Sequence, residues 1–235
     1  MDNTLFVIAI APSIALGLSI YLIDRYDKEP LSLLLKVFFL GALSVVPTVY
    51  VQKFIMRFNI FTGVLWAFYT SFLVAGLVEE YLKRLVVLKT AYKSVHFNEK
   101  LDGIVYCTFS ALGFATIENI MYVVFRYSAN PYVGFYRGIL SVPAHMLFGI
   151  TMGYYLSLAK YCTCDYRKCK EYMLKSLLVP IVLHGIFNFI LMSRITFLMI
   201  LFIPYVIYLW ITNLKKLNIY TKDSRDRFNR IQRGE

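Results

Sequence analysis

Seven stretches of this 235-residue chain are too long and too continuously apolar to be the helices of a soluble core. The first, LFVIAIAPSIALGLSIYLI, runs through residues 5–23 without a single charge. A bilayer-spanning helix needs ~20 mostly apolar residues and satisfies its own backbone hydrogen bonds. Barrel strands would instead alternate over ~10 residues. The pattern therefore predicts an all-α, polytopic membrane helix bundle with spans near 4–23, 31–51, 60–88, 101–125, 138–159, 175–192 and 195–213. The first run has no basic segment before it and no A-x-A site after it, so it reads as an anchored span rather than a cleaved leader. Composition agrees: 59% of the residues are hydrophobic and 17% charged, against about 45–50% and about 25% in soluble domains.

The formal charge of +11 could suggest a nucleic-acid partner, but its distribution points elsewhere. Cytoplasmic loops carry an excess of Lys and Arg. With the N-terminus placed outside, the outer segments hold Lys53, Arg57, Arg126, Arg137 and Arg194. The inner set holds nineteen cations, from Arg25 and Lys28 through Lys160 and Lys175 to the tail's Arg233. The expected topology is N-terminus out and C-terminus in, with a transmembrane bundle over 1–213 and a basic cytoplasmic tail over 214–235 facing anionic lipid. No nucleic-acid partner is expected. Loops are short and no repeat is visible, so any chemistry must use residues within the helices.

Few ionisable residues lie in apolar sequence, and these carry the functional argument. Glu79, Glu80, Glu118, His145 and His184 sit inside predicted spans, where a charge costs about 2.5–3.5 kcal/mol on insertion scales. Such groups face the bundle interior or a wet cavity. In GLVEEYLKR, helical spacing stacks Glu79 on Lys83 and Glu80 on Arg84, giving either two tethering ion pairs or one base oriented by its neighbour. In HGIFN, Asn188 lies one turn beyond His184 and suits an oxyanion donor. At 1.5 Å per residue, Glu79, Glu118, His145 and His184 all reach similar depths, as one buried polar site would require. Pro143 and Pro180 precede the two histidines and are expected to bend their helices around that site.

These residues resemble a known family. EEYLK at 79–83, FATIE at 114–118, HMLFG at 145–149 and HGIFN at 184–188 are similar, in the same order, to the four motifs of PrsW-type intramembrane proteases. That family is related to the type II CAAX prenyl endopeptidases, which carry His where this chain has Glu118. The resemblance implies an endopeptidase of the bacterial cell membrane. It implies a single-span substrate, typically an anti-sigma factor, whose first cut starts regulated intramembrane proteolysis and ends in sigma-factor release. By carry-over, Glu79 activates water and Glu80 pairs with Arg84 or Lys83. His184 and Asn188 stabilise the oxyanion, and Glu118 and His145 complete the water site.

HExxH is absent, and no Ser–His or Cys–His pair lies in a span. Glu118, His145 and His184 could bind zinc at an open site, although a metal-free glutamate mechanism is the preferred expectation. Cys162, Cys164 and Cys169 fall in one inner loop, where reduced, free thiols are expected. The competing classes are a CAAX-type prenyl-protein peptidase, a proton-coupled transporter and a non-catalytic membrane scaffold. Against the transporter, the two halves of the chain show no repeat and no matched broken helices.

Overall fold

The computed structural model describes residues 3–163 and 165–234. Among them the chain forms seven long rods. Helix α1 spans Asn3–Ile23. Helices α2 (Leu31–Leu43) and α3 (Val45–Met56) follow one another across Ser44, whose hydroxyl donates to the Gly41 carbonyl. The third rod joins α4 (Gly63–Tyr69), a wide π-helical segment (Thr70–Leu77) and α5 (Val78–Thr90). Helix α6 (Lys100–Ile120) widens at its end into a π segment, Met121–Arg126. Short α7 (Pro131–Tyr136) and a third π segment (Arg137–Ser141) lead into α8 (Val142–Lys160). Helices α9 (Tyr166–Met192) and α10 (Thr196–Arg233) complete the bundle.

Six rods are long and apolar enough to cross a membrane. The third, which carries Glu79, Glu80, Lys83 and Arg84, is not among them, so six such rods stand against the seven spans expected. The predicted ends need correction. Helix α9 begins at Tyr166 rather than 175, because the Asp165 side chain accepts from Arg167 N–H and caps it. Helix α10 passes residue 213 without a break, since neither Gly nor Pro occurs between residue 213 and Gly234, which ends it at φ 72°. Pro143 lies where the third π segment passes into α8, and Pro180 lies inside α9.

Helices α6 and α8 form the centre. Within their most apolar stretches 78% and 72% of residues are buried, against 22% for α1 and 17% for α10. The outer helices turn Val7, Leu18, Ile200 and Ile207 outward, as lipid-facing surfaces require. The inner pair crosses where Gly103 meets Gly153, so closely that a Cβ on Gly153 would overlap the Gly103 carbonyl. Small residues permit such backbone contact, and here it brings His145 beside Glu118. Gly76 plays the same part for the third rod, since its missing Cβ lets that backbone pass against Ile181 of α9.

The α8–α9 loop departs from expectation. Cys162 and Cys169 are paired as a disulfide with their Cα atoms 5.5 Å apart, because the capped turn at Asp165 folds the loop back onto the first turn of α9. Cys164 lies outside the described residues. Cys107 is free and buried in α6.

Candidate active site

The first turn of α5 presents Glu79 and Glu80 as the π segment before it closes. Both are buried, and so is Lys83 one turn on. Lys83 Nζ lies 2.8 Å from Glu80 Oε1 and 3.4 Å from Glu79 Oε2. It also stands 3.0 Å from His145 Nδ1 and sits over the Phe114 ring. One ammonium therefore serves both carboxylates. Buried ionic groups persist only when paired and hydrogen-bonded in this way.

Arg84 does not pair with Glu80 as helical spacing suggested. Its guanidinium donates to Ser176 Oγ at 2.9 Å and to the Met173 carbonyl at 3.0 Å, both on α9. It ties α5 to α9 rather than taking part in the carboxylate cluster.

Glu80 holds His184. His184 Nδ1 lies 2.8 Å from Glu80 Oε1, which leaves Nε2 turned toward Glu79 Oε2 at 3.9 Å. The His184 ring stacks on Phe148, with centroids 5.0 Å apart, and stands edge-on to His145 at 5.2 Å. Its rotamer is thus fixed on two sides.

His145 and Glu118 form the other half of the cluster. His145 Nε2 is 3.0 Å from Glu118 Oε2, and Arg137 Nη2 donates to the same oxygen at 2.8 Å. Arg137 Nε also donates to Asn119 Oδ1, and Asn119 Nδ2 donates to the Ala9 carbonyl of α1. Glu118 therefore has a positive partner in Arg137.

A cavity of about 820 Å³ opens onto this cluster and is lined by Glu79, Glu118, His145, His184 and Asn188. Glu80 does not line it. The five lining residues come from four rods, and all three π segments contribute wall residues: Val74, Tyr122 and Ser141 among them. Wide turns of this kind occur often at functional sites. Five of the six site residues expected from sequence thus face one cavity, and the sixth, Glu80, supports it from behind.

Sequence reasoning missed two residues. Gln52 of α3 donates from Nε2 to Glu79 Oε1 at 3.2 Å; its signal was one uncharged polar side chain in an apolar run. In the sequence Arg137 reads only as a loop cation. Its place just before a segment leading into HMLFG was the available clue.

Donor atoms of Glu79, His145 and His184 lie within 4.8 Å of one another. Two imidazoles and one carboxylate form the ligand type of catalytic zinc sites that keep one position open. Glu80 would supply the carboxylate that orients a histidine ligand from behind. The set fits a divalent cation, and it differs from the sequence expectation: Glu79 takes the place of Glu118 beside the two histidines.

The family model for PrsW family intramembrane metalloproteases matches residues 29–211. The chain is 46% identical over 230 residues to a protein named Protease PrsW from Clostridioides difficile strain 630, covering 97% of this chain and 96% of that one. It is 38% identical over 207 residues to Protease PrsW from Bacillus subtilis strain 168, covering 88% and 91%. The Protease PrsW of Oceanobacillus iheyensis is 39% identical over 208 residues, covering 88% and 92%. No solved structure matches the chain.

Proposed function

From the premise that this chain belongs to the PrsW family of intramembrane proteases, and is a peptidase of the bacterial membrane, we propose that it cleaves a single-span anti-sigma factor at the Glu79–His184 cavity. The observation that carries this reading is the shared cavity itself, which gathers two carboxylates, two imidazoles and an amide between apolar walls. The anti-sigma substrate extends the motif resemblance; a cut in its segment next to the membrane would be the first step of regulated intramembrane proteolysis. The N-out, C-in orientation remains part of the same proposal and rests on the distribution of Lys and Arg.

Each residue then has a role set by its position. Glu79, His145 and His184 hold the attacking water, and a divalent cation is the group their donor set fits. When bound, such a cation would lower the pKa of that water. Glu118 takes the water's proton. Its side chain is 20% exposed against 6% for Glu79, and its Oε2 bonds to Arg137 and His145 leave Oε1 turned free for the reaction. Asn188, one turn beyond His184, donates to the oxygen on which charge develops. Glu80 and Lys83 are positioning residues, because Glu80 does not line the cavity and Lys83 bridges the two carboxylates behind it.

Co-expression with a single-span anti-sigma factor tests the reading. Cleavage by the wild type, lost in Glu79→Gln and Glu118→Gln at matched membrane levels, is the expected result. Unchanged cleavage in Glu79→Gln would overturn it. Metal analysis of the purified protein, with His184→Ala as control, separates the cation-holding role: bound zinc is expected in the wild type and lost in the variant.

A further inference from the structure

The cavity runs toward an end of the bundle whose connecting segments carry cations and no anion. Residues 52–62, 126–137 and 193–195 contain Lys53, Arg57, Arg126, Arg137 and Arg194 and no Asp or Glu. Arg137 is engaged by Glu118. Among the described residues, neither Arg126 nor Arg194 has a carboxylate within ion-pairing distance. Both are exposed.

These two arginines line one groove, and that groove is continuous with the site. It shares Tyr122, Arg126, Leu191 and Met192 with the cavity wall and continues to Arg194. The Arg126 guanidinium rests 5.4 and 5.3 Å from the ring centroids of Tyr122 and Tyr127, which limits where its charge can point. Arg194 is the one non-glycine residue with positive φ, at 55°, among the described residues. Unbranched non-glycine residues adopt that region seldom, and here it turns the α9–α10 corner at the groove's edge.

We propose that this groove selects substrates by acidic residues placed just beyond their apolar segment. The proposal deepens the hydrolase reading and rests on it. An apolar stretch suits the cavity walls, and the first acidic side chains beyond it meet Arg126 and Arg194. Glu118 and Arg126 are eight residues apart on one rod, or about 12 Å at 1.5 Å per residue. An extended chain covers that distance in about four residues. The acidic position therefore lies about four residues from the scissile bond. A polypeptide is favoured over a lipid headgroup because the groove leads into the polar cavity floor.

The test uses synthetic single-span peptides, each with ~20 apolar residues and a flank carrying Asp and Glu, Asn and Gln, or Lys. Binding is measured by photocrosslinking to full-length protein carrying Glu79→Gln, in neutral-lipid proteoliposomes, and cleavage is measured with wild type. The acidic flank is expected to bind about fivefold more tightly than the neutral one. That preference should shrink at high salt, vanish in Arg126→Gln/Arg194→Gln, and pass to the Lys flank in Arg126→Glu/Arg194→Glu. Equal binding of all three flanks overturns the proposal. So does a preference that survives the double variant. If phosphatidylglycerol in the vesicles abolishes the acidic preference while binding through the same arginines, the groove is a lipid site and the proposal fails. An acidic preference in binding with no cleavage by wild type sustains the groove and sinks the hydrolase reading instead.

Discussion

Gln52 donates through Nε2 to Glu79 Oε1, 3.2 Å away, so the carboxylate that faces the cavity is held from α3 while Lys83 holds its other oxygen from α5. Two donors on different rods fix the plane of one carboxylate. A side chain held on both oxygens has little freedom to rotate, which is the condition for presenting a lone pair at a set angle.

Replacing Gln52 by Leu removes one of those donors and leaves the cavity's other polar residues in place. Hydrogen bonds to charged groups contribute about 1.5–3 kcal/mol, and ~1.4 kcal/mol is tenfold in rate. The expected result is a loss of about tenfold to a hundredfold in kcat, with KM little changed. Steady-state cleavage in detergent micelles reads both constants. A rise in KM alone would place Gln52 in substrate binding instead.

Lys83 predicts a different phenotype, a loss of the protein itself. Its ammonium is buried and bridges Glu79, Glu80 and His145. Lys83→Met would leave two buried carboxylates without that cation, and breaking a buried ion pair in this way costs about 3–5 kcal/mol. Membrane abundance and thermal stability should both fall. Lys83→Arg should not restore them, because a planar fork does not replace a compact ammonium between three partners.

How much of this was legible in the sequence depended on whether the interaction was local. The Glu79–Lys83 contact follows from helical spacing on one element, and the structure contains it. The expected Glu80–Arg84 pair used the same rule and does not form, because Lys83 at i+3 and His184 from α9 take Glu80 while Ser176 takes Arg84. No spacing rule within one helix can anticipate a competitor from another. The π segments escaped for a related reason: an apolar run such as TSFLVAGL does not announce whether its turns are wide or regular. The length of α10 was hidden by polarity, since a polar helix and a polar tail read alike until packing is known.

Gly153 makes the central crossing testable. A methyl group there would overlap the Gly103 carbonyl of α6, so Gly153→Ala must push α8 outward or bend it. Overpacking of this kind costs about 1–3 kcal/mol. Because His145 lies two turns along the same helix and meets Glu118 across the crossing, activity should fall by more than the loss of folded protein explains. Specific activity corrected for folded fraction is the measurement. Gly153→Val should be worse in both respects.

The last prediction concerns pH and a cluster away from the cavity. Residues 24–30, between the first two rods, bury Asp24 and Glu29. Asp24 Oδ2 accepts from Glu29 N–H at 3.0 Å, and Tyr106 donates its hydroxyl to Glu29 Oε2. Burial, with a smaller contribution from the charge of Asp27, pushes the Glu29 carboxyl up to about 7 and that of Asp24 up to about 6. Both groups hold their protons more tightly in the folded than in the unfolded chain. Their contribution to stability is therefore complete below the usual carboxylate range and is lost as pH rises through those values. Thermal stability in detergent should fall between about pH 5 and about pH 7, by about 1.4 kcal/mol per pH unit while one proton is released. Glu29→Gln, which cannot ionise, should reduce that slope to the part due to Asp24 and leave the variant more stable than wild type near neutral pH. A slope unchanged by Glu29→Gln would assign the pH dependence to other groups.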